Sequence, residues 1–323
     1  MKGKNVLVTG GTGFVGSHIV EALLSQGANV FVTYRSFDTK TYFFFKGLDK
    51  KSVMDICDLK DKERVFDIIS KREIDYIFHI AAQPIIDVAY NNPYETLVSN
   101  IVGAINVLEA SRLSKNVKGI LVFTSDKAYG KHDQIPYKES NQLKGDHPYD
   151  CSKSCEDLIA QMYHKTYNLP VVIVRSGNIF GPGDLNFNRI IPGALQSILL
   201  NQTLNIRSDG KMIREYVYVK EVAKACISLM ESLDKTKGEA FNLGSSNIFN
   251  VLEVVEQIEK ITGNKINKEI LNIAKNEIPK QHLDYSKIKN TIGWNHETDF
   301  ASAVNETFKW YQEFYKGANK NGN

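Results

Sequence analysis

The first half of the chain alternates short apolar runs, rich in β-branched residues, with longer stretches of helical period. The runs at 5–10, 29–34, 75–82, 119–125 and 170–177 read as strands, since each is short and bounded by turn residues. Between them, 16–27, 60–71, 93–113 and 148–167 carry apolar residues at helical spacing. Gly27 stops the first of these helices, Asp58 or Asp61 stands near the start of the second, Gly103 suits a close helix contact in the third, and Pro148 opens the fourth. Strands separated by helical crossovers predict an α/β fold: a doubly wound parallel sheet with helices on both faces.

After residue 178 this rhythm breaks. The stretch 178–193 is loop-rich, and helices at 219–232 and 251–263 sit among short strands. The expected layout is a first domain over 1–177 and a smaller mixed α/β region over 178–316. Segments of that region interleave with the first domain and close over the sheet's ligand crevice. A polar, flexible tail is expected over 317–323. The aromatic run 42–45 is expected to pack in the core or beside a cofactor.

Composition narrows the class. Lys and Arg number 40 against 37 Asp and Glu, a net charge of +3, too balanced for a nucleic-acid binder. No apolar run approaches the roughly 20 residues of a membrane span. The N-terminus goes straight into a strand with no signal-peptide core. Cys57, Cys151, Cys155 and Cys226 form no CxxC pair and no zinc spacing, so reduced thiols, a cytoplasmic setting and no metal site are expected.

The strongest local signal is "VTGGTGFVGSH", which puts Gly10, Gly13 and Gly16 between the first strand and the first helix. Glycines let the backbone turn tightly and approach a pyrophosphate seated on the helix N-terminus. With strand, helix and second strand in register, the pattern indicates a dinucleotide site. Thr12, Phe14 and Val15 lie within the same cradle. The second strand ends without the carboxylate that usually holds the NAD ribose. Arg35 and Ser36 stand there instead, which leans the expectation from NAD towards NADP. Asp55, with Ile56 beside it, is expected at the adenine, and Ala81, Ala82 and Gln83 at the end of the fourth strand are expected beside the cofactor.

Tyr149 and Lys153 are spaced YxxxK at the start of a helix and so share one face. The lysine ammonium can stabilise a tyrosine phenolate, and Ser125, ending a neighbouring strand, can bond the same substrate oxygen. Such a set moves a proton to or from a sugar hydroxyl while a nicotinamide takes the hydride. Tyr149 and Lys153 are therefore expected to touch both cofactor and substrate. Asp126 and Lys127 directly follow Ser125, an acid and an amine at the mouth of a buried strand, where both are costly to hold.

Taken together, "TGGTGFVG", "HIAAQP", "TSDKAYG", "PYDCSK", "RSGNIFGPGD" and "REYVYVKEV" resemble, in order and over nearly the whole length, the extended short-chain dehydrogenases/reductases that modify nucleotide sugars. The resemblance implies a Rossmann-type domain, a tightly bound NAD or NADP regenerated in each turnover, and a nucleotide-diphosphate sugar as substrate. It also implies a homodimer built through helices 93–113 and 148–167. Ser-Asp-Lys, "AAQP" and "GDLNFNRIIP" resemble the CDP-glucose 4,6-dehydratases. In that chemistry C4 is oxidised, water is lost across C5 and C6, and the hydride returns to C6. Asp126 would then be the acid and Lys127 the base. Arg214, Arg189 and Asn178 match positions that hold the substrate. One departure is "IREYVYVKEV", where that branch carries a Trp-rich stretch, so UDP-, GDP- and dTDP-hexoses stay open as donors. A 4-epimerase, which needs only Ser125, Tyr149 and Lys153, is the alternative enzyme. A non-enzymatic NAD(P)-binding regulator is a third reading, disfavoured by the intact set.

Overall fold

A computed structural model describes residues 1–273 and 278–320. Seven parallel strands form the central sheet: β1 (Asn5–Thr9), β2 (Asn29–Tyr34), β3 (Val53–Ile56), β4 (Tyr76–His79), β5 (Gly119–Ser125), β6 (Val171–Ser176) and the edge strand Ala240–Leu243. Their spatial order is 240–243, β6, β5, β4, β1, β2, β3. The order reverses at β1, which pairs with both β2 and β4. A crevice therefore opens at the carboxyl ends of β1 and β4.

Alternation along the strands explains the two layers of helices. In β1, Val6 and Val8 face one cluster, with Ile19 and Leu23 of the first helix (Phe14–Ser25) and Val222 of the helix Val219–Glu231. Leu7 faces the other, with Val65, Ile68, Val107 and Ala160 from the helices Lys62–Lys71, Gly103–Leu113 and Pro148–Tyr167. Each fully buried side chain of this kind contributes about 1.5–3 kcal/mol. The first helix packs against 219–231, so a helix from the second half completes the first layer, and strand 240–243 extends the sheet itself.

The remainder forms a smaller mixed region. Strand Ile213–Tyr218 pairs with Asn178–Phe180, Ile248–Asn250 and Lys280–Gln281, and a separate pair joins Leu204–Ile206 to Lys268–Ile270. A third cluster, with Leu195, Val254, Val304 and Tyr311, fills this region. Tyr42 and Phe43, in the short helix Tyr42–Phe45, are core residues, and Tyr42 stacks on His18 at 4.1 Å. The final helix, Phe300–Lys320, takes in the start of the expected tail, whose last three residues lie outside those described.

Two helices depart from the expected pattern. A short helix, Ile86–Asn91, precedes the expected one at 93–113. The latter divides into Pro93–Leu97, a π-helical segment Val98–Val102 and Gly103–Leu113. The π segment presents Asn100, whose amide accepts from Gln83 N at 2.7 Å and donates to Ser152 Oγ at 2.9 Å. The widened turn thus ties the loop after β4 to the helix 148–167.

Candidate active site

The crevice is a cavity of about 1620 Å³. Its dinucleotide end is built by the turn after β1. Gly10 has φ of +66°, and a Cβ there would lie 2.7 Å from Ala81 Cα; a Cβ on Gly16 would lie 2.2 Å from Gly10 O. These close approaches bring the backbone of Thr12, Gly13, Phe14 and Val15 to the cavity wall. The first helix starts there with Gly13 as N-cap, no capping side chain and no acid in its first turn. Its leading N–H groups and the positive end of its dipole face the space a diphosphate needs, so the residues present fit a dinucleotide. Arg35 and Ser36 also line the wall, as do Ala81, Ala82 and Gln83. Arg35 Nη1 lies 3.6 Å from Glu95 Oε1, and Lys60 Nζ reaches the same oxygen at 2.8 Å.

Asp55 and Ile56 are corrected by the structure. Neither lines the cavity: the Asp55 carboxylate accepts from Arg72 Nε and Nη2 at 3.2 and 3.0 Å, and Ile56 projects outward from edge strand β3. The acid on the cavity wall after β3 is Asp58.

The chemical centre forms where β5 ends against the helix 148–167. Ser125, Asp126, Lys127, Tyr149 and Lys153 all line the cavity. Ser125 Oγ donates to Asp126 Oδ1 at 3.0 Å and faces the Tyr149 phenol. Burial raises Tyr149 above the ordinary phenol value, while the Lys153 charge and the Ser125 hydroxyl pull it back. Lys153 Nζ donates to Phe123 O at 3.0 Å and to Glu156 Oε2 at 2.7 Å. Lys127 Nζ donates to both carboxylate oxygens of Asp126, at 2.9 and 3.1 Å, and to Gln281 Oε1 at 2.9 Å. Gln281 Nε2 in turn donates to Asp126 O at 3.0 Å. Asp126 is buried, so this hydrogen-bonded pair is the arrangement that lets a carboxyl and an amine share that position.

Across the cavity stand Asn178, Arg189 and Arg214. Asn178 Nδ2 donates to Glu215 O at 3.3 Å, Arg189 pairs with buried Asp184 at 3.0 Å, and Arg214 Nη1 donates to Ile213 O at 2.9 Å. Arg175 is a brace, bidentate to Asp157 at 2.8 and 2.9 Å. Sequence reasoning missed Gln281, Glu156 and Arg207. Arg207 lines the cavity and pairs with Asp87 at 3.0 Å. Gln281 and Arg207 sit in no recognisable spacing, and Gln281 reaches Lys127 from strand 280–281, across the fold; Glu156 lies one helical turn from Lys153.

The fold is a Rossmann-type α/β sheet, and its crevice gathers Ser125, Tyr149 and Lys153 beside a cradle that fits a dinucleotide. The family model for GDP-mannose 4,6 dehydratase matches residues 7–307, and the chain belongs to that family. It is 29% identical to the CDP-glucose 4,6-dehydratase of Salmonella typhimurium, over 98% of this chain and 92% of that protein. It is 26% identical to a trifunctional UDP-glucose 4,6-dehydratase/3,5-epimerase/reductase of Arabidopsis thaliana, over 97% of this chain; the chain spans about half, 48%, of that protein's length. Among solved structures, the UDP-glucose 4-epimerase of Thermotoga maritima with UDP-glucose superimposes with a TM-score of 0.87 at 26% identity, covering 96% of this chain and 99% of that one. The dTDP-glucose 4,6-dehydratase of Streptomyces venezuelae with NAD gives 0.86 at 25%, covering 96% and 97%. No helix among the described residues is long and apolar enough to cross a membrane.

Proposed function

We propose that the protein is a nucleotide-sugar 4,6-dehydratase that converts a CDP-glucose-like NDP-hexose to its 4-keto-6-deoxy derivative. The observation that carries this is the Asp126–Lys127 pair set beside Ser125, Tyr149 and Lys153. Tyr149, as phenolate stabilised by Lys153, takes the proton of the C4 hydroxyl, and Ser125 bonds the same oxygen. A NAD or NADP held by the Gly10–Gly16 cradle would supply the hydride acceptor for C4 and the hydride donor for C6. A C4 ketone makes the C5 hydrogen acidic. Neutral Lys127 removes it, and the Asp126 acid protonates the departing C6 hydroxyl, which leaves as water. One proton shift along the 2.9 Å contact from Lys127 Nζ to Asp126 Oδ2 produces both required forms at once. The proton taken by Lys127 returns to C5 as C6 is reduced.

Arg189, Arg207 and Arg214, all on the cavity wall, suit the diphosphate, since guanidinium groups bind it through paired hydrogen bonds. Asn178 suits a sugar contact. Exposed Tyr94 (74%), Leu158 (53%) and Met162 (41%) on the helices 93–97 and 148–167 support a homodimer through that face. Four free thiols support a reducing, cytoplasmic setting.

A 4-epimerase is the second reading, favoured by the likeness to the Thermotoga enzyme, and it needs only Ser125, Tyr149 and Lys153. Mass spectrometry decides between the two. The purified protein is incubated with CDP-, UDP-, GDP- and dTDP-hexoses without added cofactor. Loss of one water from one donor is expected. An unchanged mass with a new stereoisomer would put the epimerase first. No change, repeated with added NAD and NADP, would sink both.

A further inference from the structure

Lys153 and Glu156 form a contact outside the Ser125, Tyr149 and Lys153 set. Both side chains are almost fully buried, and Nζ lies 2.7 Å from Oε2. A buried lysine with only a backbone carbonyl for company tends to lose its proton, by up to about 3–5 pK units for a fully buried group. Here the other hydrogen-bond acceptor is Phe123 O on β5. The neighbouring acid on the same helix, Asp157, is held by Arg175, and Asp126 is held by Lys127. Glu156 is therefore the carboxylate committed to Lys153.

Behind Glu156 stands His79 of β4, its Nε2 3.6 Å from Glu156 Oε1. The Thr9 hydroxyl oxygen accepts from Ile80 N and Ala81 N at 3.2 and 3.3 Å. Its proton is thus directed to His79 Nδ1, 2.8 Å away. That leaves the imidazole hydrogen on Nε2, facing Glu156. Burial holds His79 neutral, at about 3, so it faces the carboxylate without adding a charge; at 3.6 Å its Nε2 and Glu156 Oε1 make no hydrogen bond. Burial raises Glu156 to about 7 even against the pull of Lys153. The groups facing this carboxyl are Lys153, Tyr149 and Asp157 on its own helix and His79 on β4.

We propose that Glu156 is a positioning residue of the active site, the buried counter-charge that keeps Lys153 an ammonium and so lets it stabilise the Tyr149 phenolate. Its consequence for turnover rests on the proposed redox role of Tyr149 and Lys153, but its test does not. The protein is labelled with 13C at lysine Cε, and the Lys153 signal, assigned by its absence in Lys153→Met, is followed against pH. Wild type is expected to keep Lys153 charged to at least about pH 10. In Glu156→Gln it should titrate at least about one pH unit lower, and in Glu156→Asp, which keeps the charge, it should stay near wild type. Glu156→Ala, a good helix former, should behave as Glu156→Gln and carries the test if the latter fails to fold. A Lys153 titration that is unmoved in the neutral variants, or moved as far in Glu156→Asp, would overturn the proposal. Failure of every nucleotide sugar to react would overturn the proposed function and leave this titration standing.

Discussion

Lys127 Nζ lies 2.9 Å from Asp126 Oδ2, so the amine and the carboxyl that follow Ser125 form one hydrogen-bonded unit on the cavity wall. In the proposed dehydratase reaction this unit acts after sugar oxidation, not in it. Lys127→Ala should therefore lower dehydration by about 10²–10⁴-fold while the bound nicotinamide is still reduced by substrate in a single turnover. Gln281→Ala, which frees the amine without removing it, should lower kcat by about 10–100-fold with KM little changed. The checks are mass spectrometry for product and nicotinamide absorbance in stopped flow. Full dehydration by Lys127→Ala would remove it from the mechanism.

Gly16→Ala should abolish dinucleotide binding, because its Cβ would lie 2.2 Å from Gly10 O, a backbone atom of the cradle that cannot yield. Gly263→Ala is the control. Its φ of +69° strains a side chain, but nothing lies within 4 Å, so it should cost about 1 kcal/mol of stability and keep the cofactor. The nucleotide released on heat denaturation, separated by chromatography, distinguishes the two. Equal amounts from both variants would contradict the assignment of the cradle.

Much of this architecture was legible in the chain, for a physical reason. The strand at 119–125 and the helix at 148–167 emerge with the bounds that their patterns predict, because burial on both faces and a proline at the first helical turn are local signals. The division of 93–113 was not legible. It turns on Asn100 meeting Gln83 and Ser152, contacts between distant segments. The site divides the same way. Its Gly, Ser, Tyr and Lys positions sit in short spacings on one strand or helix. Gln281 reaches Lys127 only because strand 280–281 pairs beside 213–218, and Asp55 turns from the cavity only because Arg72 is folded against it. The Glu156 contact was within reach, since it lies one helical turn from Lys153, but spacing alone does not tell a buried ion pair from a solvated one.

Arg35 bears on the choice of cofactor. It is 58% exposed on its side chain, lines the cavity and stands 3.6 Å from Glu95, which offsets part of its charge. A preference for NADP over NAD should therefore be modest. Arg35→Ala should weaken NADP by about 10-fold, one lost charge-assisted contact, and leave NAD nearly unchanged. Calorimetric titration of the stripped protein with each dinucleotide measures this. An equal loss for both would place Arg35 against the adenine and not a 2′-phosphate.

His18 predicts how stability depends on acid. It is buried in the first helix, stacked on Tyr42, with Nε2 2.8 Å from Pro182 O and Nδ1 without a hydrogen bond, 4.0 Å from Glu21 Oε2. Burial lowers it to about 4 from the ordinary 6.5. The unfolded chain therefore takes up a proton near pH 6.5 that the folded protein refuses until about pH 4. Its contribution is complete above pH 6.5, is lost as the pH falls through that window at about 1.4 kcal/mol per unit, and levels off below it. Burial gives His79 the same sign, while the buried carboxyls of Glu156 and Glu215, raised by burial, act in the opposite sense, so the His18 contribution is read as a difference between variants. His18→Gln keeps an N–H for Pro182 O and cannot protonate. Between pH 7 and 5 its unfolding free energy, from urea titrations, should fall by about 2 kcal/mol less than that of the wild type. An identical fall in both proteins would mean that His18 gains its proton without unfolding, by opening the contact between the first helix and the loop that carries Pro182.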